Sequence, residues 1–239
     1  MTIEPARSTG SVDTTAPTRD RVIGRIADQL IARHPGHPLR VAVDGVTGAG
    51  KTTLARAIAA EVDRRGRPAI QLSMDGFHHP RAHRHRQGRD SALGYYQDAY
   101  DFPGFAHAVL LPLGPGGDHR YRRALIDLAE DRPVDEPPVT APADAVLVVD
   151  GSFLQRPELA GLWDEVVFTD TSFPVARRRG TRRDTGLFGG LDRAEHAFDT
   201  RYHAACRHYL AEIDPAAHAT IVVGNDDLDH PVLRRSGRP

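Results

Sequence analysis

The stretch that decides the fold runs from Leu39 to Gly66 and reads "LRVAVDGVTGAGKTTLARAIAAEVDRRG". Its opening "LRVAVD" predicts a short buried strand, and "KTTLARAIAAEVDRRG" predicts an alanine-rich helix that closes at Gly66. Between them, "GVTGAGKT" has the spacing G-x-x-x-x-G-K-[ST]. Glycines at these positions let the backbone turn tightly, so that main-chain N–H groups and the helix N-terminus point at phosphate oxygens. The stretch therefore predicts a strand, a phosphate-binding loop and a helix.

One lysine stands in this loop. The chain has 31 lysine and arginine residues, and Lys51 is its single lysine. An ammonium is a compact charge that can follow a moving γ-phosphoryl group, whereas guanidinium is a wide planar fork. We expect Lys51 to reach the β- and γ-phosphates of ATP and Thr52 to offer its hydroxyl to Mg²⁺, which makes ATP and Mg²⁺ the predicted cofactors. The other nucleotide-binding positions predicted in the loop are Gly45, Thr47, Gly48, Ala49, Gly50 and Thr53.

The rest of the chain alternates apolar and helical stretches. Further strands are predicted at "PAIQLSMD", "ADAVLVVD", "WDEVVFTD" and "ATIVVGN", and helices at "TRDRVIGRIADQLIARH", "PGFAHAVLLPL", "PVARRRGTRRD" and "DRAEHAFDTRYHAACRHYLAEI". Strands that alternate with helices indicate an α/β fold with a doubly wound, mostly parallel sheet flanked by helices. Residues 76–100 show no clear period and are predicted to be irregular, which in a compact domain usually indicates function.

Length and composition limit the alternatives. The 239 residues are 40% hydrophobic and 26% charged, with a formal net charge of −1, so we predict a flexible tail over residues 1–17 and a single domain over 18–239. This charge balance gives no reason to expect a nucleic-acid or membrane partner. The single cysteine, Cys206, fits a reducing cytoplasm.

Two carboxylates follow predicted strands. Asp75 closes "AIQLSMD" and Asp150 closes "AVLVVD". Ligands of open parallel sheets lie outside the carboxyl ends of the strands, so both acids should lie near the phosphates. We predict that Asp150, after the most hydrophobic strand, binds Mg²⁺ with Thr52. Asp75 opens the irregular stretch and is predicted to accept the proton of an attacking hydroxyl.

An arginine run follows in "ARRRGTRRDTGLFGG". Neighbouring arginines repel one another, so we expect a lid over about residues 177–192 that closes on ATP and stabilises the transferred charge. Arg183 is the predicted catalytic arginine and Arg179 a predicted ATP ligand.

The irregular stretch supplies candidate acceptor-binding residues. Its mixture of histidine, tyrosine and carboxylate suits a polyhydroxylated or ring-bearing small molecule. The predicted substrate-binding residues are His78, Tyr95, Tyr96, Asp98 and Asp101.

Several of these motifs together resemble the uridine kinase-like branch of the P-loop small-molecule kinases, which also includes phosphoribulokinases and bacterial pantothenate kinases. The resemblance covers roughly residues 41–223: "GVTGAGKTT" is similar to the phosphate loop, "SMDGFH" to the element that carries the proposed base, and "QDAYDF" to the substrate segment. "VVDGSFL" places Asp150 at the Mg²⁺-associated position, and "RRRGTRRD" resembles the lid arginines. Three features depart from the pattern: "DxFY" reads "DGFH" here, the usual "RGR" after the lid Arg-Asp pair reads "TGLFGG", and Tyr95 stands where an acid is expected shortly before "DAFD".

The resemblance implies an ATP-dependent phosphotransferase that acts on a hydroxyl of a small molecule, with uridine or cytidine as the first expectation. A kinase for pantothenate, a sugar or a sugar acid is the alternative, and a non-catalytic nucleotide-binding regulator is a remote one. A GTP-dependent switch is disfavoured because a chain with one lysine, already in the loop, has no Asn-Lys-x-Asp guanine reader. Relatives often form dimers or tetramers, so a homo-oligomer is a further implication of the resemblance.

Overall fold

A six-stranded sheet forms the centre of the molecule. The computed structural model describes residues 18–237, so the tail predicted for residues 1–17 lies outside the described residues. The strands of the sheet are β1 (Leu39–Gly45), β2 (Ala69–Ser73), β7 (Val146–Asp150), β8 (Glu165–Asp170), β9 (Ile221–Gly224) and β10 (Val232–Ser236). Their order is β10-β9-β8-β1-β7-β2. All neighbours pair in parallel except β9 and β10, which are antiparallel, so the predicted mostly parallel α/β sheet is confirmed.

Helices lie on both faces of the sheet. In chain order they are α1 (Thr18–Ile31), α2 (Lys51–Arg64), α3 (Arg81–Arg84), α4 (Ala92–Asp98), α5 (Phe102–Phe105), α6 (Phe173–Phe188), α7 (Leu191–Ala197), α8 (His203–Ile213) and α9 (Pro215–His218). Short 3₁₀ turns span Met74–Phe77 and Pro157–Leu159, and π-helical turns span Ala106–Leu110 and Phe198–Tyr202.

Alternation along the buried strands builds a core on each face. In β1, Val41 and Val43 face a cluster that α1 and α2 complete, whereas Ala42 faces the opposite cluster. In β7, Val148 faces the same cluster as Val41 and Val43, and Val149 faces the same cluster as Ala42. Because successive side chains of a strand point to opposite faces, continuous apolar runs such as "VLVV" are what a sheet covered on both sides requires.

Four two-residue strands, which the sequence did not predict, lie between α5 and β7. They are β3 (Arg120–Tyr121), β4 (Ile126–Asp127), β5 (Arg132–Pro133) and β6 (Val139–Thr140). β3 pairs with β6, and β4 pairs with β5, both antiparallel. The segment also carries Leu128 and Ala129 to the wall of the main cavity. Strands of two residues are too short to give a periodic signal, which explains why the pattern missed them.

One expectation needs correction, whereas the helix predicted in the arginine-rich segment is present. Residues 76–100 are not uniformly irregular, since α3 and α4 lie within them. The proposed lid, residues 177–192, is helical through Phe188, and its break comes at Gly189 and Gly190, both with positive φ. Arginine-rich sequence is compatible with a helix because its charges stay on the exposed face, and the motion of this segment stays a prediction.

Among residues 18–237, no helix combines the length and hydropathy that crossing a membrane requires.

Candidate active site

A cavity of about 680 Å³ opens at the carboxyl ends of β1, β2 and β7. The register explains this position, because Asp150 at the end of β7 lies beside Val43 of β1 and Ser73 of β2. The sequence-predicted residues that line the cavity are Thr47, Gly48, Lys51, Thr52, Asp75, His78, Tyr95, Asp150 and Arg183. The topology thus brings together the loop, both carboxylates and the lid arginine.

The glycines of the phosphate loop are required by its shape. Gly48 and Gly50 have φ values of 86° and 91°, in the left-handed region that other residues rarely adopt. A Cβ on Gly48 would collide with the main-chain oxygen of Ala176, and one on Gly50 would lie 2.8 Å from Asn225 Nδ2. The loop therefore has both the conformation and the close packing that exclude side chains at these two positions.

Lys51 lies at the first turn of α2 and folds back over the loop. Its Nζ donates to the main-chain oxygen of Val46 at 2.9 Å and to Ser152 Oγ at 3.1 Å. Burial lowers the pKa of this ammonium, while the nearby carboxylates of Asp44, Asp150 and Asp75 oppose that effect. The ammonium is thus held at the mouth of the loop by weak neutral acceptors that phosphate oxygens can replace.

Asp150 and Thr52 form the candidate cation site. Thr52 Oγ1 donates to Asp150 Oδ2 at 2.6 Å, Gln71 Nε2 donates to Oδ1 at 2.7 Å, and Ser73 Oγ lies 3.4 Å from Oδ2. Burial raises the pKa of Asp150, and no ion pair within residues 18–237 balances its charge. A buried carboxylate beside a hydroxyl is an oxygen donor set that suits Mg²⁺, which usually takes its other ligands from phosphates and water. No cluster of three or more His, Cys, Asp or Glu side chains able to hold a metal occurs within the described residues.

The strand that precedes Asp75 ends at Ser73, two residues earlier than the sequence predicted. Asp75 is in the 3₁₀ turn Met74–Phe77 that follows β2, not in the strand itself. Its side chain is 73% exposed and faces the cavity, and its Oδ1 is 3.7 Å from His78 Nε2. The interaction with His78 lowers the pKa of Asp75, and Lys51 and Arg183 add to this effect. The carboxylate is therefore ionised at neutral pH and free to accept a hydrogen bond from a ligand.

His78 is oriented by its neighbours. Its Nδ1 is 2.8 Å from the main-chain oxygen of Ala99, and a carbonyl can only accept, so Nδ1 donates this hydrogen bond. Its ring stacks on Tyr100 with centroids 4.2 Å apart. These contacts direct Nε2 toward Asp75 and place Tyr100, which is not among the predicted substrate-binding residues, in the cavity wall.

The structure does not bring every predicted substrate residue to the cavity. Tyr96 donates its hydroxyl to Glu212 and lies under the Arg156 guanidinium. Asp98 is 1% exposed and is bound by Arg86 and Gln87. Both side chains are bound by partners that do not line the cavity, and these contacts hold α4 in place.

Asp101 and Arg179 also have structural partners. Asp101 caps α5 by accepting from the Gly104 N–H at 2.9 Å. Arg179 donates to the main-chain oxygens of Asn225 and Asp226, which ties α6 to the loop after β9. Arg183 does line the cavity, where it forms a bidentate pair with Asp184 at 2.7 and 2.8 Å.

The remaining loop residues, Gly45, Ala49, Gly50 and Thr53, do not line the main cavity. Gly50 and Thr53 instead border a small second pocket together with Asn225 and Leu228. Asn225 Nδ2 donates to the main-chain oxygen of Ala49, so the back of the loop is fixed by the end of β9.

A buried polar network supports the loop from below. Asp44, directly before Gly45, is fully buried and accepts from Tyr209 and from Gln155. Burial raises the pKa of Asp44, and these hydrogen bonds oppose the rise. His203 adds a bond from Nε2 to the main-chain oxygen of Thr47 at 2.9 Å. The sequence pattern did not reveal this network, since its members are far apart in the chain.

The sequence reasoning also missed a group of basic side chains in the cavity wall. They are Arg81, Arg84, His85, Arg89 and Arg201. Four of them stand in "PRAHRHRQGRD", so local charge density was the available signal. Arg201 comes from the π-helical turn between α7 and α8, and no local pattern predicts that it joins the others.

No protein-family model and no curated protein matches the sequence. Solved structures do match. A possible uridine kinase from Bacillus stearothermophilus is 23% identical with a TM-score of 0.66, over 85% of this chain and 97% of that one. A candidate fructose transport system kinase from a Silicibacter strain is 23% identical with a TM-score of 0.65, over 82% and 95%. D-glycerate 3-kinase from Cryptococcus neoformans is 14% identical with a TM-score of 0.55, over 80% and 89%.

These neighbours are described as kinases of different small molecules, and at such identities the likeness establishes the architecture alone. The sheet order, the glycine-rich loop before α2 and the cavity at the strand ends agree with it. The fold predicted from the sequence is confirmed: this chain has the fold of the uridine kinase-like P-loop kinases.

Proposed function

We propose that the protein transfers the γ-phosphoryl group of ATP, with Mg²⁺, to a hydroxyl of a small molecule. The observation that carries the proposal is that Lys51, Thr52, Asp150 and Asp75 line one cavity at the end of the sheet. Phosphoryl transfer needs positioning and charge stabilisation more than covalent chemistry, and these residues supply both.

At the donor end, the main-chain N–H groups of the loop and the N-terminus of α2 hold the phosphates. Lys51 exchanges its contacts with Val46 and Ser152 for phosphate oxygens and stabilises the charge of the transferred group. Thr52 and Asp150 would hold Mg²⁺, which would supply positive charge against the triphosphate. Arg183, held by Asp184 near Asp75, adds positive charge on the open side.

At the acceptor end, Asp75 orients the attacking hydroxyl and accepts its proton. Its low pKa makes it a weak base, so its main contribution is alignment of the nucleophile in line with the phosphorus. His78 holds the carboxylate in place, and Tyr95 and Tyr100 close the wall behind the acceptor.

Two classes of molecule are candidates for the acceptor. A pyrimidine nucleoside is supported by the motif resemblance and by the tyrosines of the wall. A sugar acid or another hydroxy acid is supported by the arginines of the same wall, which a neutral nucleoside does not need.

We place the activity in the cytoplasm, since the one cysteine, Cys206, is free and buried.

The test is a coupled assay of ATP consumption over a panel of hydroxyl acceptors, followed by ³¹P NMR of the product. The panel contains uridine, cytidine, D-glycerate, pantothenate and simple sugars. A phosphomonoester formed in a Mg²⁺-dependent reaction supports the proposal. Tight ATP binding without any product across the panel supports the nucleotide-binding regulator instead.

A further inference from the structure

Four arginines converge on one part of the cavity wall. Arg81 and Arg84 lie on α3, Arg89 lies in the loop before α4, and Arg201 lies on the π-helical turn before α8. We call this group the arginine cluster. It surrounds His85: burial lowers the pKa of this histidine, and the positive charges of all four arginines lower it further. Four cations from three separate elements therefore share one small region.

Arg201 is the most informative member. Its side chain is 8% exposed and lies beside the rings of Tyr95 and Tyr202, 5.2 and 5.4 Å from their centroids. Its buried Nε has no hydrogen-bond partner within residues 18–237. A buried N–H group without a partner is costly, so the position of Arg201 in this cavity wall favours an anionic ligand there.

The fold does not neutralise the arginine cluster. Of the four arginines in the cluster, only Arg84 forms an ion pair within the described residues, with Asp131 at 2.9 Å. The fixed charges that line the cavity are six cations (Lys51 and five arginines) and three carboxylates, and one of these carboxylates, Asp184, is already bound to Arg183. The remaining carboxylates, Asp75 and Asp150, act on Lys51, and within the described residues neither forms an ion pair with an arginine of the cluster. The cluster thus adds positive charge to the cavity beyond Lys51 and Arg183, the two cations assigned to the triphosphate.

We propose that the arginine cluster binds an anionic group of the acceptor, so that the substrate is a hydroxy compound carrying a carboxylate or a phosphate, with its hydroxyl at Asp75 and its anion at Arg201. This inference rests on the proposed phosphotransfer and names its substrate class. Guanidinium forks match the geometry of carboxylate and phosphate oxygens, and the stacked tyrosines keep Arg201 in a fixed orientation. A neutral nucleoside would leave the buried Arg201 unpaired, which disfavours it as the substrate.

A binding experiment tests the subsite without turnover. The protein is saturated with Mg²⁺ and a non-hydrolysable ATP analogue, so that the phosphate loop is occupied. It is then titrated calorimetrically with two matched pairs of probes, D-glycerate against glycerol and D-ribose 5-phosphate against D-ribose, and with uridine. We expect one anionic probe to bind at least ~10-fold more tightly than its neutral partner and than uridine.

Two variants remove the charge by different routes. Arg201→Gln acts on the buried member, and Arg89→Gln acts on an exposed member whose loss cannot disturb the core. Each should weaken the preferred anion at least ~10-fold without changing binding of the ATP analogue, and Arg201→Lys should restore part of the loss. Arg25→Gln, an exposed position on α1, is the matched control and should change nothing.

The result that overturns the inference is binding of uridine in preference to both anions, equal binding of each charged and neutral pair, or no loss of anion affinity in both Arg201→Gln and Arg89→Gln. Failure of the phosphotransfer itself would look different. In that case the anion binds through the cluster as described, yet wild-type protein with ATP forms no phosphomonoester from it.

Discussion

The two ends of the cavity differ in whether their charged side chains have partners within the protein. At the phosphate-loop end, every charged side chain has an internal partner: Lys51 is bound to Val46 and Ser152, and Asp150 to Thr52 and Gln71. At the acceptor end, the arginine cluster surrounds His85 and Arg201 has a buried nitrogen without a partner. One end is complete as folded, whereas the other is completed only by a ligand.

This difference separates what is general in the site from what is specific. The loop end binds phosphates through main-chain geometry, which tolerates little change, as the contacts around Gly48 show. The acceptor end is built from side chains of short helices and a loop, and in our proposal it sets the choice of substrate. Substitutions at the first end should abolish turnover for any acceptor, and those at the second should change which acceptor is used.

The largest effect is expected for Lys51→Ala. Removal of the ammonium eliminates a charge that stabilises the transferred group, so kcat should fall by at least about 10²–10³-fold. Steady-state kinetics measure the loss, and circular dichroism checks the fold. Arg56→Ala, an exposed position on the same helix, is the control and should keep wild-type kcat. Equal rates in Lys51→Ala and wild type would remove the loop from the mechanism.

Asp75→Asn should be nearly as damaging. An amide cannot accept the proton of the hydroxyl, and kcat should fall by about 10²–10⁴-fold with little change in ATP binding. Asp63→Asn, an exposed carboxylate on α2, serves as the control. A wild-type rate in Asp75→Asn would show that another group orients the nucleophile.

Thr52→Ala tests the cation site. Loss of the hydroxyl removes one proposed Mg²⁺ ligand and a hydrogen bond to Asp150, so the Mg²⁺ concentration needed for half-maximal rate should rise by about 10–100-fold. Thr52→Ser keeps the hydroxyl and should stay close to wild type. An unchanged Mg²⁺ dependence in Thr52→Ala would exclude this pair as the metal site.

The pH profile sharpens the role of His78. Its interaction with Asp75 lowers the pKa of the carboxylate, so the rate should hold as pH falls and be lost only below the ordinary pKa of aspartate. His78→Phe keeps a ring on Tyr100 but removes this interaction, so the pKa of Asp75 should rise and the acid limb of kcat/KM should move to higher pH. An acid limb at the same pH in both proteins would show that His78 does not act on Asp75.

The smallest effect on activity is expected for Tyr209→Phe, in the polar network beneath the phosphate loop. Tyr209→Phe deletes a hydrogen bond to the buried Asp44 and should cost about 1–3 kcal/mol of unfolding free energy in urea, with kcat changed only slightly. Tyr121→Phe is the control, since this buried tyrosine makes no side-chain hydrogen bond within the described residues. Equal stability of the two variants would show that Asp44 needs no support from Tyr209.

The sequence predicted the loop end well because its signals are local. Strand, glycines, Lys51 and helix are consecutive, and Asp150 directly ends a strand whose register brings it to Thr52. Parallel pairing then places the carboxyl ends of the strands at one edge of the sheet, and this placement does not depend on details of side-chain packing.

The acceptor end was predicted less completely because its geometry is set by tertiary contacts. Tyr96, Asp98 and Asp101 stand in a motif-like segment, yet helical periodicity and capping turn them away from the cavity. Arg201 lies more than a hundred residues beyond Arg89 in the chain, and only the packing of α4 against the turn before α8 brings them together. The spacing of charges along a sequence cannot reveal that two distant residues lie close together in the fold.

The most direct measurement is transfer of label from γ-³²P-ATP to a hydroxy acceptor by wild type and by Lys51→Ala, both with the same unfolding midpoint. The account predicts a labelled phosphomonoester from the wild type and a loss of at least about 10²-fold in Lys51→Ala. Label transfer at equal rates by the two proteins, or ATP binding by wild type with no labelled product from any acceptor, would contradict it.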